Sequence, residues 1–275
     1  MTKPVFQLTV LGSRGSMASG RADCLLFGGD TSCYMVRAGD ETVFLDGGSG
    51  IVAAPASYPK PPVILLTHLH LDHVMGLGMF PGFANRAQKS TLYIPFCADA
   101  ALAEAKMDRV FIPPVWPLKL TEFEGDLKIL PMPKSLKIGS LMVDSIPGSH
   151  PDGCLVLRLR YLGKTIVYAT DYEAAEPSFS ALSAFAENAD LLLYDAQFEE
   201  AEYESKRGFG HSTAAKGLEL MTISGAKQLL LIHHAPSSTD SMLLQREKKL
   251  PNVNASYARE GQTITLLGES GKSID

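Results

Sequence analysis

LLTHLHLDHVMGL, residues 65–77, is the stretch on which the reading of this chain turns. Three of the seven histidines, His68, His70 and His73, fall within six consecutive positions, with Asp72 among them. The run before them, VILLT (63–67), is short, apolar and flanked by turn residues, which is the pattern of a buried strand. The run after them, LDHVMGLGMF, turns toward a helix. Residues two apart on extended backbone share a face, so His68 and His70 are placed to share one metal ion. Asp72 and His73 lie about a turn further on and suit a second. Neutral imidazole and carboxylate are ligands that zinc and related ions prefer, and a catalytic site leaves one position open for water.

The same placement recurs along the chain. His150 lies in SIPGSHPDG (145–153), Asp171 ends TIVYATD (165–171), and His233 ends QLLLIHH (228–234). All seven histidines read as strand-end or glycine-turn residues, and none as part of a helix interior or strand centre. A lone terminal His or Asp is more often a cap or a surface residue. A three-histidine cluster backed by these further donors points instead to a metal site.

Further apolar runs predict strands at 5–11, 33–38, 42–46, 91–95, 141–146, 154–161 and 190–195. Helical periodicity marks 98–107, 177–188, 212–224 and 238–249. Strands dominate in both halves, which suits two packed sheets with helices outside. Residues 108–137 are proline-rich and hold the only tryptophan, Trp116, so they read as an extended insertion with short strands. The expected organisation is one domain over 1–275 carrying that insertion. Phe111 and Trp116 are candidates for a wall over the metals or for plain packing anchors.

Taken in order, THLHLDH, His150, Asp171 and His233 resemble the ligand series of the metallo-β-lactamase superfamily, and the resemblance covers nearly the whole chain. It implies an α+β fold, an αββα sandwich of two packed mixed β-sheets with helices on the outer faces. It also implies two divalent ions, one taking His68, His70 and His150, the other Asp72, His73 and His233, with Asp171 bridging. Zinc is the expected metal, with manganese and iron the alternatives. An aspartate where the zinc β-lactamases carry a cysteine favours the hydrolase and phosphodiesterase branches. His70, where the di-iron oxidoreductases carry a glutamate, counts against redox chemistry. VLGSRGS (10–16), LFGGDTSCYMV (26–36) and VFLDGGSGI (43–51) resemble the opening of the group that includes ribonuclease Z and the cyclic phosphodiesterases. LLLYDAQF, GFGHSTAAKGLEL and LLLIHHAP resemble the later ribonuclease Z motifs, which makes His211 the extra catalytic histidine and His233, ahead of His234, the ligand. Within GHST, the bland reading is a helix N-cap at Ser212. Asp46 in FLDGG is either an acceptor that orients a ligand imidazole or a simple turn residue, and Asp195 is a similar case.

Composition narrows the function. A net charge of −5 and a pI near 5.8 oppose a general phosphate-binding surface, and the mixed charges of 108–137 are a poor match for the basic arm that grips transfer RNA. No apolar run approaches the length of a membrane span, and the four scattered cysteines are expected to be free thiols in a reducing cytoplasm. The expected activity is therefore hydrolysis of a small or cyclic phosphodiester by attack of a metal-bound hydroxide. Asp72 would serve either as ligand and proton acceptor or as a pure metal ligand, and His211 as proton donor to the leaving oxygen or stabiliser of the charge that builds there. Alternatives are a transfer RNA 3′-processing endonuclease of ribonuclease Z type, a lactone or thioester hydrolase, and a non-catalytic metal-binding regulatory protein. A homodimer is expected from the resemblance alone.

Overall fold

The computed structural model describes residues 5–251 and 254–267. The first strands are β1 (Phe6–Gly12), β2 (Cys33–Ala38), β3 (Glu41–Leu45), β4 (Val63–Leu65), β5 (Lys89–Ile94) and β6 (Asp126–Pro131). Among them lie helices α1 (Leu71–Val74) and α2 (Ala100–Met107). There follow β7 (Ser135–Ile138), β8 (Leu141–Gly148), β9 (Cys154–Tyr161), β10 (Lys164–Ala169), α3 (Ser178–Phe185), β11 (Leu191–Asp195), α4 (Glu200–Tyr203) and α5 (Ala214–Ser224). The last elements are β12 (Leu229–Ile232), α6 (Asp240–Lys248), β13 (Ala255–Tyr257) and β14 (Thr263–Leu267).

The chain divides into two compact units. The first takes residues 5–12, 31–133 and 263–267 of those described, and its sheet runs β14-β1-β2-β3-β4-β5-β6. The β14, β1, β2 and β3 neighbours pair antiparallel, and from β3 through β6 the pairing is parallel. β3 and β4 lie inside the sheet and are buried along their whole length, and VIL of β4, parallel to both neighbours, is wholly apolar. The core of this unit gathers Phe44, Ile64, Phe80, Phe83 and Leu92 with Met107 from α2.

The second unit takes 13–30, 134–251 and 254–262 of those described, and its sheet runs β7-β8-β9-β10-β11-β12-β13. Three antiparallel pairings again precede three parallel ones. Val167, Leu192, Tyr194 and Leu231 from the sheet pack with Leu182 of α3 and Leu220 of α5. α5 starts where the Thr213 hydroxyl accepts from Lys216 N and stops at Gly225, whose φ of 71° is left-handed.

Residues 108–137 contribute β6, at one edge of the first sheet, and most of β7, at one edge of the second, in keeping with the short strands expected there. One expectation needs correction. The helix cap in GHST is Thr213 rather than Ser212, whose hydroxyl instead bonds to the Tyr194 hydroxyl at 2.9 Å. None of the four cysteines is in a disulfide among the described residues. Among the described residues, no helix is long and apolar enough to cross a membrane.

Candidate metal centre

Asp46, His68, Asp171, Asp195 and His233 stand at or just beyond the carboxyl ends of strands that pair in parallel, where open α/β sheets generally bind ligands, whereas His150 follows the antiparallel β8 and His211 lies in the loop before α5. In the first unit, β4 delivers the chain to Thr67 and His68, and His70 is the last extended residue before α1. His73 lies within that one-turn helix, where the stretch LDHVMGLGMF was expected to turn helical. The His68 ring centroid is 4.6 Å from that of His70 and 4.2 Å from that of His73. Asp72 turns one carboxylate oxygen to 3.3 Å from His73 Nε2.

Asp46, just after β3, organises this cluster. Its carboxylate accepts the Thr67 backbone N–H at 2.7 Å and the Thr67 hydroxyl at 2.9 Å, and lies 2.8 Å from His73 Nδ1. The Thr67 hydroxyl is also 3.1 Å from His68 Nδ1. Each Nδ1 thus has an oxygen partner, and the tautomer in which that partner holds the Nδ1 side leaves Nε2 as the donor atom for a metal. Asp46 thus faces an imidazole nitrogen as well as the turn that follows it. The glycines after it let the backbone close onto α1: a Cβ on Gly48 would fall 2.4 Å from the Asp72 carbonyl oxygen.

The second unit holds a matching set. Asp171 follows β10 and His233 follows β12. One Asp171 oxygen is 3.8 Å from His150 Nε2 and the other 3.2 Å from His233 Nε2. The Thr170 hydroxyl donates to the latter oxygen at 2.7 Å. His150 Nδ1 is 2.8 Å from the Gly210 carbonyl oxygen, which again sets Nε2 as the outward nitrogen. His211 pairs its Nδ1 with Asp195 at 2.8 Å and stacks on His233, with ring centroids 4.8 Å apart at 19°. His234 faces elsewhere: its Nε2 is 2.8 Å from the Ala258 carbonyl oxygen, and burial depresses its pKa to about 3. Of the adjacent pair, His233 is the one beside Asp171.

Asp46, Asp171 and His233 adopt left-handed φ values of 60°, 49° and 62°. Non-glycine residues in that region are uncommon, Asp and His being among the more tolerant, and they concentrate at functional sites. Two groups that hold imidazoles in this arrangement escaped the sequence reading, namely Thr67 and the Gly210 carbonyl. Only the glycine pattern around Gly210 could have hinted at the second. Phe111 and Trp116 take the packing role: their rings meet edge to face at 5.8 Å, and Trp116 lies against Gly78.

Imidazoles braced at Nδ1, together with buried carboxylates, are the donor set that suits divalent transition ions, so the residues of each unit fit such a metal. Comparison with known proteins agrees. The profile of the beta-lactamase superfamily domain matches residues 42–234. A ribonuclease Z of Bradyrhizobium sp. (strain ORS 278) is 25% identical over 268 residues, covering 78% of this chain and 87% of that protein. A ribonuclease Z of Halobacterium salinarum is 42% identical over 99 residues, which are 34% of this chain and 31% of the relative. Among solved structures, the metallo-β-lactamase fold protein YhfI from Bacillus subtilis superposes with a TM-score of 0.71 at 20% identity, covering 96% of this chain and all of the other. A diphosphatase of the PhnP family gives 0.67 at 17%, with coverages of 94% and 97%. The short form of human tRNase Z gives 0.64 at 17%, with 94% and 98%. These likenesses show the αββα fold class expected from the sequence, and the profile match shows the family: the chain belongs to the metallo-β-lactamase superfamily of hydrolases.

Proposed function

We propose that this protein is a metal-dependent phosphodiesterase acting on a small or cyclic phosphodiester. The proposed ligands are His68, His70, Asp72 and His73 in the first unit, and His150, Asp171 and His233 in the second. The observation that carries the reading is Asp171, whose two oxygens each face the Nε2 of a different imidazole, that of His150, braced at Nδ1, and that of His233. That is the disposition a carboxylate needs to bridge two ions. When bound, two divalent ions, zinc first among the candidates, supply Lewis acidity toward a phosphoryl group and lower the pKa of water.

The chain's own residues divide the remaining work. Asp72 holds its place beside His73 and takes the proton released by the attacking water. His211, fixed through Nδ1 by Asp195, has Nε2 left to donate a proton to the leaving oxygen. Asp46 and Thr67 keep the first cluster in one tautomeric state. A second reading, endonucleolytic processing of transfer RNA, is favoured by the names of the sequence relatives. The excess of acidic over basic residues, 30 against 25, supports the smaller substrate.

The test is hydrolysis of bis(p-nitrophenyl) phosphate by protein stripped of metal and reloaded with zinc or manganese. Turnover should require metal, disappear in Asp171→Ala, and fall about 100- to 10,000-fold in kcat in His211→Ala. A protein that retains two ions yet turns over no phosphodiester, while opening lactones or thioesters, would overturn the assignment.

A further inference from the structure

Glu173 has no part in the mechanism above, yet it touches three segments of the second unit that do. It lies two residues beyond Asp171, and its backbone N–H donates to the carbonyl oxygen of Ser149, the neighbour of His150, at 2.8 Å. Its carboxylate accepts the Gly208 N–H at 2.8 and 3.0 Å and the Gly210 N–H at 3.0 Å. Two amides of one short loop can converge on a single carboxylate because Gly208 and Gly210 both take left-handed φ, 86° and 85°. The charged acceptor makes these stronger than neutral backbone bonds.

The loop so fixed lies directly against His150. The Gly210 carbonyl oxygen is the partner of His150 Nδ1, and a Cβ on Gly210 would stand 2.0 Å from that same nitrogen. The next residue is His211, held by Asp195. A carboxylate, a glycine loop, a carbonyl and an imidazole therefore form one chain of contacts that ends at His150 Nε2.

We propose that Glu173 is a positioning residue for metal binding: its carboxylate clamps the Gly208–Gly210 loop so that the Gly210 carbonyl holds the His150 imidazole with Nε2 toward Asp171. The proposal rests on the reading of His150 as a metal ligand. It assigns Glu173 no contact with substrate or metal. It differs from a general stabilising role in predicting that the effect passes through His150 and is felt selectively by one ion.

The experiment uses the full chain loaded with cobalt(II), whose two affinities are read by chelator competition and whose visible absorption reports imidazole coordination. Glu173→Ala should weaken one ion by roughly 10- to 100-fold, the usual range for losing a partner behind a ligand, and leave the other within about twofold. Glu173→Gln should fall between, since one amide oxygen still accepts both N–H groups without the charge. In a His150→Ala background the Glu173→Ala effect should shrink to about twofold or less, because coupled residues are non-additive. Glu204→Ala, which removes only the exposed partner of Arg207, should change nothing. If Glu173→Ala does not fold, the comparison is made with Glu173→Gln alone. Wild-type cobalt affinities in a folded Glu173 variant would overturn the proposal, as would an undiminished effect in the His150→Ala background. Cobalt binding is read without substrate, so a protein inactive on every phosphodiester still decides the role of Glu173. Equal cobalt affinity in wild type and His150→Ala would remove the ligand reading and this proposal together.

Discussion

At the scale of single residues, Asp46 shows what a sequence reveals and what it conceals. Its type and strand-end position were enough to raise two roles, but its partner His73 lies 27 positions away, and only the folded chain brings the two within 2.8 Å. The adjacent pair His233 and His234 behaves likewise. Neighbours at a strand end point to opposite sides, so one of them had to face away, and nothing local says which. Replacing Asp46 by Asn keeps an acceptor for the Thr67 N–H but lets His73 choose the wrong tautomer. Metal affinity should drop about 10- to 100-fold while the melting temperature of the apo-protein moves little, as chelator competition beside calorimetry can show. An unchanged affinity would leave Asp46 as a turn residue only. Glu260 offers a test of pH dependence away from the metal residues. Burial pushes its carboxyl up to about 7, partly offset by the Asp30 N–H that donates to it. The folded state therefore favours the protonated acid, so this contribution to stability is full below the ordinary pKa of 4.5 and is lost as pH rises through about 7. Glu260→Gln keeps the acceptor and removes the titration. Its stability relative to wild type should rise by about 1 kcal/mol between pH 5 and pH 8, a figure discounted for the partial exposure of the group. A difference that stays flat across that range in urea titrations would refute the assignment.

At the scale of elements, the buried parallel strands were legible because unbroken apolar runs have few other uses, and their reading fails mainly at the ends. The runs 63–67 and 228–234 were read as strands, whereas the ladders stop at Leu65 and Ile232. Beyond those points the residues turn out of the sheet to serve the site, His233 in left-handed backbone. Strands β13 and β14 escaped notice because they are short and lie at sheet edges, where alternation is weak and polar residues are tolerated. The cap of α5 was displaced by one residue because Ser212 and Thr213 are both good caps by type. Tertiary contact with Tyr194 occupies the first and leaves the second to receive Lys216 N–H. Thr213→Ala should accordingly cost about 1 kcal/mol in urea unfolding, and Ser212→Ala should instead strand the buried Tyr194 hydroxyl. If Ser212→Ala alone frays α5 in amide exchange, the assignment of the cap is wrong.

At the scale of the whole molecule, composition set limits that the fold does not change. The repeated order of three antiparallel and three parallel pairings in each sheet lay beyond the sequence, because it depends on which distant strands become neighbours. Net charge, by contrast, is the same number before and after folding, and here it is −5. A ribonuclease must hold a polyanion, and each phosphate neutralised by Lys or Arg makes affinity fall with salt. Contacts to six to ten phosphates lose roughly 1,000- to 100,000-fold between 50 and 200 mM salt. A small phosphodiester presents one such group, and its binding depends chiefly on metal ions and a few donors. The expected outcome is that kcat/KM for bis(p-nitrophenyl) phosphate changes by less than about threefold over that salt range, while unprocessed transfer RNA binds only weakly, at micromolar levels or above, near 150 mM salt. Nanomolar binding of the RNA with a steep salt slope, accompanied by cleavage at its 3′ side, would transfer the assignment to the endonuclease. That result would require a local basic surface strong enough to overcome the acidic excess of the rest of the chain.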